Sequence, residues 1–154
     1  MNTGIKATAN IATFSMECSV SCHIAATPAK VWKILTDAAN FTAWNSTLTK
    51  MEGKIALGET VKLEAKSAPG RTFKLRVTSL NPNNNMTWED GFAPMFKGRR
   101  TFALTGGGNG DTKFTMTEKF WGLMLPMIKG SLPDFVPIFE QYAADLKQEA
   151  EKNS

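Results

Sequence analysis

Apolar and polar residues alternate almost without interruption from residue 14 to residue 24, in the run FSMECSVSCHI. Successive side chains of a strand point to opposite faces of a sheet, so a period of two predicts a strand with one buried face. The apolar face carries Cys18 and Cys22, and the other face carries His23, the only histidine of the chain. Along such a strand the two cysteines lie about 13 Å apart, which is too far for a disulfide. We expect two core thiols and an exposed imidazole here, and no metal or catalytic cluster.

The rest of the pattern predicts two short helices, six more strands and one long helix. Thr27 as N-cap and Pro28 at the first helical position begin the first short helix. A second short helix is predicted around residues 38–45, and Ser131 or Asp134 is expected to cap the long amphipathic C-terminal helix. The six strand-like runs, divided by turn signals, cover residues 48–55, 60–66, 71–80, 86–92, 98–104 and 111–122. This order predicts an α+β fold, with a curved antiparallel sheet of about seven strands and helices on one face.

Composition and charge restrict the class of protein. The 154 residues fit one domain, residues 1–154, of which residues 1–12 are expected to form a flexible N-terminal extension. No apolar run approaches the ~20 residues that cross a bilayer, the first residues lack the apolar centre of a secretory signal, and two unpaired cysteines suit a reducing compartment. We therefore expect a cytoplasmic protein. The net charge of +4 is scattered along the chain, which argues against a nucleic-acid partner.

Three charged residues, Asp90, Arg100 and Glu118, fall on otherwise apolar strand faces. If TGGGNG closes a hairpin, Arg100 lies nearly opposite Met116 and diagonal to Glu118. A charge on a buried face costs several kcal/mol unless it is paired. Two interpretations are open. In the first, the three residues form a satisfied ion network or lie near the sheet ends in water. In the second, they form the polar end of a ligand cavity, in which Arg100 holds an anionic or carbonyl group and Asp90 and Glu118 orient it.

Common catalytic and cofactor motifs are missing from the sequence. The run GGGNG lacks the lysine of a phosphate loop, no serine lies in a nucleophile elbow, and one exposed histidine argues against a catalytic triad. Metal-ligand spacing is also missing. We expect neither a metal nor a cofactor.

Several motifs resemble the START-like polyketide-cyclase (SRPBCC) superfamily. They are I-x-A-x-P-A-K-V-W-K-I-L-T-D from Ile24, N-F-T-A-W-N from Asn40, and the late runs F-K-G-R-R-T-F-A-L and T-K-F-T-M-T-E-K-F-W-G. The resemblance implies a helix-grip fold, in which the sheet wraps around the C-terminal helix and encloses a deep apolar cavity. Two features depart from the pattern: many relatives carry histidines at the positions of Arg100 and Met116, and prolines lie at the start of the last helix.

The resemblance and the apolar inward faces favour the binding of a lipid or polyketide-like aromatic in the cavity, without catalysis. One alternative is a cyclase or dehydratase, with Arg100 polarising a carbonyl and Glu118 or Asp90 moving protons. The other is a protein-interaction module of the chaperone-regulator type. We expect a monomer or weak dimer. The residues predicted to bind the ligand are Trp88, Asp90, Arg100, Phe102, Met116, Glu118, Phe120 and Phe139.

Overall fold

Eight antiparallel strands form one sheet in the computed structural model, which describes residues 4–152. The strands are β1 (Ala7–Ile11), β2 (Ser15–Ile24), β3 (Leu48–Glu52), β4 (Thr60–Ala65), β5 (Thr72–Asn81), β6 (Asn85–Phe92), β7 (Phe96–Gly106) and β8 (Thr112–Trp121). Their order across the sheet is β1-β2-β8-β7-β6-β5-β4-β3. The seven predicted strands are all present, and β1 is the additional one.

The N-terminal segment differs from the expectation of a flexible extension over residues 1–12. Ala7–Ile11 is an edge strand that pairs with β2, in a register that runs from Ala7 opposite Val20 to Ile11 opposite Met16. The Ala7 N–H also donates to the Glu140 carboxylate at 2.9 Å. Four of the five side chains of β1 are exposed, so backbone pairing holds the strand, and alternation gave no signal for it. Residues 1–3 lie outside the described part of the chain.

The helices are α1 (Pro28–Leu35), α2 (Phe41–Trp44), α3 (Leu125–Ile128) and α4 (Phe135–Glu151), with 3₁₀ turns at Ala38–Asn40 and Lys129–Ser131. Thr27 caps α1 by accepting the Lys30 N–H, and Asp134 caps α4 by accepting the Val136 N–H at 3.1 Å. Pro137 is the third residue of α4, where a backbone N–H would have no helical partner. The short helix α3 was not predicted, because four residues carry too little periodicity.

The core lies between the concave face of the sheet and α4. The helix packs mainly on β2 and β1 and contacts α1, and its buried side chains include Phe139, Tyr142 and Leu146. Because α4 packs mainly on β1 and β2, a space remains between its first turns and strands β3 to β8. That space is the candidate site.

The first predicted strand, β2, has one exposed face and one largely buried face, as expected. Cys18 is buried, Cys22 is half-buried, and both are free thiols. Burial raises the pKa of each thiol to about 11, which keeps both protonated and unreactive at neutral pH. The His23 side chain is 64% exposed and pairs with Asp111. The cysteines thus lie on the inner face and His23 on the outer face, as the alternation predicted.

One end of the molecule exposes a group of large apolar side chains, here called the apolar end. Two backbone hydrogen bonds join the β1–β2 turn, the β6–β7 turn and the segment after β8 at this end. The Gly122 N–H donates to the Phe14 carbonyl, and the Met124 N–H donates to the Met95 carbonyl. Of the eight large apolar side chains exposed within residues 4–152, only Leu57, in the loop between β3 and β4, lies elsewhere. The apolar end consists of Ile11, Phe14, Phe92, Met95, Leu123, Met124 and Met127.

Candidate functional site

A cavity of about 240 Å³ lies between the sheet and the start of α4. It is slightly smaller than the ~300 Å³ at the lower end of most ligand pockets, so a guest must be small. Exposed Ser67 and Arg71, from the β4–β5 loop, and Ser131 mark its mouth. The apolar lining comprises Leu48, Leu63, Ala65, Ala68, Phe73, Leu75, Phe96, Phe120, Leu132, Pro133, Phe135 and Ile138.

Arg100 and Glu118 form an ion pair in the wall of this cavity. They face each other directly across β7 and β8, and both Nε (3.2 Å) and Nη2 (2.5 Å) of Arg100 donate to Glu118 Oε1. Their side chains are only 16% and 7% exposed, and the guanidinium lies 5.2 Å from the ring centre of Phe139. Burial opposes the charge on Arg100, but the charge and hydrogen bonds of Glu118, together with Tyr142 and Asp90, raise the pKa of the guanidinium. Arg100 is therefore charged and already holds an anion.

The register of this hairpin differs from the predicted one. Arg100 was expected opposite Met116, whereas Met116 lies opposite Phe102. The Gly107 N–H donates to the Asp111 carbonyl at 3.1 Å, so the loop is centred one residue later than the run TGGGNG suggests. A shift of one residue in the turn moves every cross-strand partner by two residues. Both positions keep the same face, and the predicted diagonal contact becomes a direct one.

Asp90 is the third charged residue of the cavity wall. It pairs across β6 and β7 with Gly98, and no side chain of residues 4–152 donates to its half-buried carboxylate. Burial, with the charge of Glu118, raises its pKa to about 6, although Arg100 and the backbone amides of Gly98 and Asp90 oppose the shift. Asp90 can therefore gain or lose a proton close to neutral pH.

Tyr142 on α4 contacts Arg100 from the core, outside the cavity lining. It is buried, its ring centre lies 5.8 Å from the Arg100 guanidinium, and burial raises the pKa of its hydroxyl above the ordinary range. Sequence reasoning placed it only in the helix core. The available signal was its spacing of three residues from Phe139, which puts both rings on the same face of the helix.

Four of the eight predicted ligand residues line the cavity, namely Asp90, Arg100, Glu118 and Phe120. The other four, Trp88, Phe102, Met116 and Phe139, are buried in the core outside the lining, with the Trp88 and Phe102 rings 4.8 Å apart. Strand alternation identifies the face of a side chain but not the depth at which a helix covers it. The lining from β4 and β5 and from residues 131–133 was missing from the prediction, although Leu63, Phe73 and Leu75 alternate clearly.

Within residues 4–152, no three His, Cys, Asp or Glu side chains come together as a metal site. In the same part of the chain, no helix is long and apolar enough to span a membrane.

Residues 15–151 match the model of the family described as polyketide cyclase / dehydrase and lipid transport. The chain belongs to this family. The match covers most of the sequence and confirms the resemblance to the START-like superfamily. No curated protein matches the chain at the level of sequence.

Solved structures show the fold of this family member. A START superfamily protein from Mycobacterium smegmatis superposes with a TM-score of 0.64 at 15% identity, over 97% of this chain and 99% of that one. Truncated norcoclaurine synthase from Thalictrum flavum gives a TM-score of 0.67 at 10% identity, over 94% and 99% of the two chains. A hypothetical protein from Helicobacter pylori gives 0.70 at 11% identity, over 86% of each chain. The predicted α+β helix-grip fold is confirmed, with eight strands instead of about seven.

Proposed function

We propose that the protein binds a small apolar molecule in the cavity between the sheet and α4, without catalysis. The observation that carries this proposal is the cavity itself, which has apolar walls, a mouth marked by exposed residues and one polar end at Asp90, Arg100 and Glu118. Apolar walls with a few polar groups are the usual composition of small-molecule sites. The family description, which includes lipid transport, supports the same class of ligand.

The size of the cavity sets the affinity to expect. Burying roughly 200 Å² of apolar ligand surface, at about 25 cal/mol per Å², contributes about 5 kcal/mol before the costs of association. The costs of association reduce this figure, and since about 4 kcal/mol corresponds to 1 mM, a simple probe should bind with a dissociation constant of about 1 mM or weaker. Probe titrations should therefore reach millimolar concentrations.

The direct test is native mass spectrometry of the purified protein, followed by calorimetric titration with a neutral bicyclic aromatic. We expect one bound molecule per chain. Ala68→Phe, which places a ring in the lining near the mouth, should weaken binding at least fivefold. Ala39→Phe, at an exposed position outside the cavity, should bind as the unchanged protein does. Absence of binding by any neutral apolar probe, or equal binding by both variants, contradicts the proposal.

A second candidate function is catalysis, and the proton equilibrium of Asp90 favours it. A carboxyl group whose pKa is about 6, inside an apolar cavity, suits proton transfer near neutral pH. Glu118 suits that role less, because Oε1 accepts both hydrogen bonds from Arg100. As a cyclase or dehydratase, the protein would use Arg100 to polarise a carbonyl group and Asp90 to move the proton.

The catalytic candidate is tested with Asp90→Asn and a polyketide-type substrate. The variant should lose turnover by at least a hundredfold, because general acid–base groups contribute about 10²–10⁴. Its affinity for a neutral apolar probe should not change. Turnover equal to that of the unchanged protein rejects the assignment of Asp90.

A further inference from the structure

The inner end of the cavity holds two carboxylates, Asp90 and Glu118, and one cation, Arg100. Glu118 accepts two hydrogen bonds from Arg100, so the charges of these two side chains balance each other. Asp90 has no side-chain donor in the described residues, although it lies in the same cavity wall. The other basic residue of the lining, Arg71, is exposed at the mouth, where it lies over the Phe73 ring at 4.9 Å. One carboxylate therefore remains without a cationic partner.

The elements packed around Asp90 supply no second cation. Its neighbour across the strands is Gly98, which has no side chain, and an added Cβ there would lie 2.5 Å from Asp90 Oδ1. The Cys18 thiol on β2 and the Tyr142 hydroxyl on α4 have raised pKa values, so both are neutral at physiological pH. Asp134, at the start of α4, adds negative charge. Among the charged groups of residues 4–152, Glu118 and Arg100 act most strongly on Asp90, and they do so in opposite directions.

The aromatic walls beside Asp90 suit the apolar part of a guest. The Phe120 ring stacks on Phe96 at 5.6 Å and on Phe135 at 5.4 Å, and all three rings line the cavity. A group that bears N–H donors and a positive charge can satisfy the Asp90 carboxylate while the apolar part of the same molecule packs against these rings.

We propose that the cavity selects apolar molecules that carry a protonated amine, and that Asp90 binds the ammonium group. This inference rests on the proposed binding function and names its ligand class. It replaces the expectation that Arg100 anchors an anionic group, because the Arg100 charge is matched by Glu118. An apolar carboxylate would place a third negative charge beside Asp90 and Glu118, so the site should reject it.

The pH dependence of binding follows from the same geometry. An ammonium ion binds the ionised form of Asp90, so amine affinity should be greatest well above pH 6 and should fall as Asp90 takes up a proton. The fall approaches tenfold per pH unit below the pKa of the free protein. Affinity for a neutral alcohol should change much less over the same range.

The test compares three probes of one shape, 1-naphthylmethylamine, 1-naphthylmethanol and 1-naphthoate, by calorimetric titration at pH 7.5. We expect the amine to bind at least tenfold more tightly than the alcohol, and the carboxylate to bind most weakly. Asp90→Asn should reduce the amine preference to less than twofold, mainly by weakening the binding of the amine. Asp111→Asn, which changes a carboxylate outside the cavity, should keep the preference.

The outcomes separate this inference from the binding function beneath it. If the alcohol binds but the amine shows no advantage, the amine selectivity is wrong and the binding function stands. If the carboxylate binds most tightly, Arg100 is the anchor and the inference is also wrong. If none of the three probes binds, both fail. Titration of the unchanged protein at pH 5 gives the second measurement, and an undiminished amine preference there rejects Asp90 even if Asp90→Asn does not fold.

Discussion

Gly98 has no side chain, and this determines where the Asp90 carboxylate can lie. An added Cβ would approach Asp90 Oδ1 to 2.5 Å and the Phe120 ring to 2.9 Å, closer than side chains pack. The glycine thus makes room for a carboxylate in a wall that is otherwise aromatic. The sequence predicted that Asp90, Arg100 and Glu118 share a face, because alternation fixes the face of each residue. It could not predict that Asp90 is the unpaired one, because that depends on the centre of the β7–β8 turn.

Gly98→Ala should destabilise the protein and disturb the polar end of the cavity. We expect a loss of about 1–3 kcal/mol in the free energy of unfolding, which is typical of overpacking. Gly130→Ala is the matched control, because its added Cβ meets nothing within 4 Å. Urea unfolding of both variants measures the difference. Equal stability would mean that Asp90 and Phe120 move aside at no cost.

The pH dependence of stability should report on Asp90. Its pKa is about 6 in the folded protein against an ordinary value of 3.8, so between these values the folded state binds more protons than the unfolded state. Stability therefore falls as pH rises from about 4 to about 6, and this contribution is constant above that range. Asp90→Asn removes the effect, so its free energy of unfolding should exceed that of the unchanged protein by roughly 1–2 kcal/mol at pH 7.5.

Chemical denaturation across this pH range measures the Asp90 effect. The difference between the two proteins should shrink as pH falls from about 6 to about 4 and disappear near pH 3, where Asp90 is mostly protonated in both the folded and the unfolded state. A difference that is constant from pH 4 to pH 8 would show that the substitution acts through packing instead of charge.

At the scale of elements, the sequence predicts the strands and helices that show a clear hydrophobic periodicity or a capping residue. Seven strands, both short helices and the Thr27 and Asp134 caps lie where the pattern places them. The strand β1 was missed because its side chains are mostly exposed and its stability comes from backbone pairing with β2. The helix α3 was missed because it is only four residues long.

The two predicted caps offer a matched pair of variants, because only α4 lines the cavity. Asp134→Ala and Thr27→Ala should each cost about 1 kcal/mol in the free energy of unfolding. Only Asp134→Ala should also weaken the binding of a neutral probe, because Phe135 and Ile138, in the first turns of α4, line the cavity. Thermal unfolding and probe titration measure the two effects. Equal loss of binding in both variants would mean that global destabilisation is the cause.

At the scale of the whole molecule, the family resemblance predicted a hollow between sheet and helix but not its boundary. Trp88, Phe102, Met116 and Phe139 lie on the inward faces, yet they fill the core beside the cavity. The distance between α4 and each strand decides which inward residues touch the space. That distance follows from the packing of the whole chain, which no local pattern encodes.

The apolar end should govern any self-association of the chain. Large exposed apolar patches commonly mediate contacts between protein molecules, so we expect the predicted monomer or weak dimer to associate through this surface. Met127→Glu, at a side chain that is 80% exposed, should lower the sedimentation-average mass at millimolar protein concentration to that of a monomer. Leu57→Glu, at a 64% exposed side chain elsewhere, should leave the mass unchanged. Equal effects of the two substitutions would contradict the role of this surface.

The pairing of β2 with β8 also affects how the chain is made. During synthesis residues 15–24 emerge well before their partner at residues 112–121, because the residues between the two strands must be translated first. Pairing between distant segments slows folding, and a strand edge that is not yet paired promotes aggregation. Before β8 is available, β1 can pair with only one edge of β2. The wall that carries Glu118 and Phe120 therefore forms only after the residues between β2 and β8 have been synthesised.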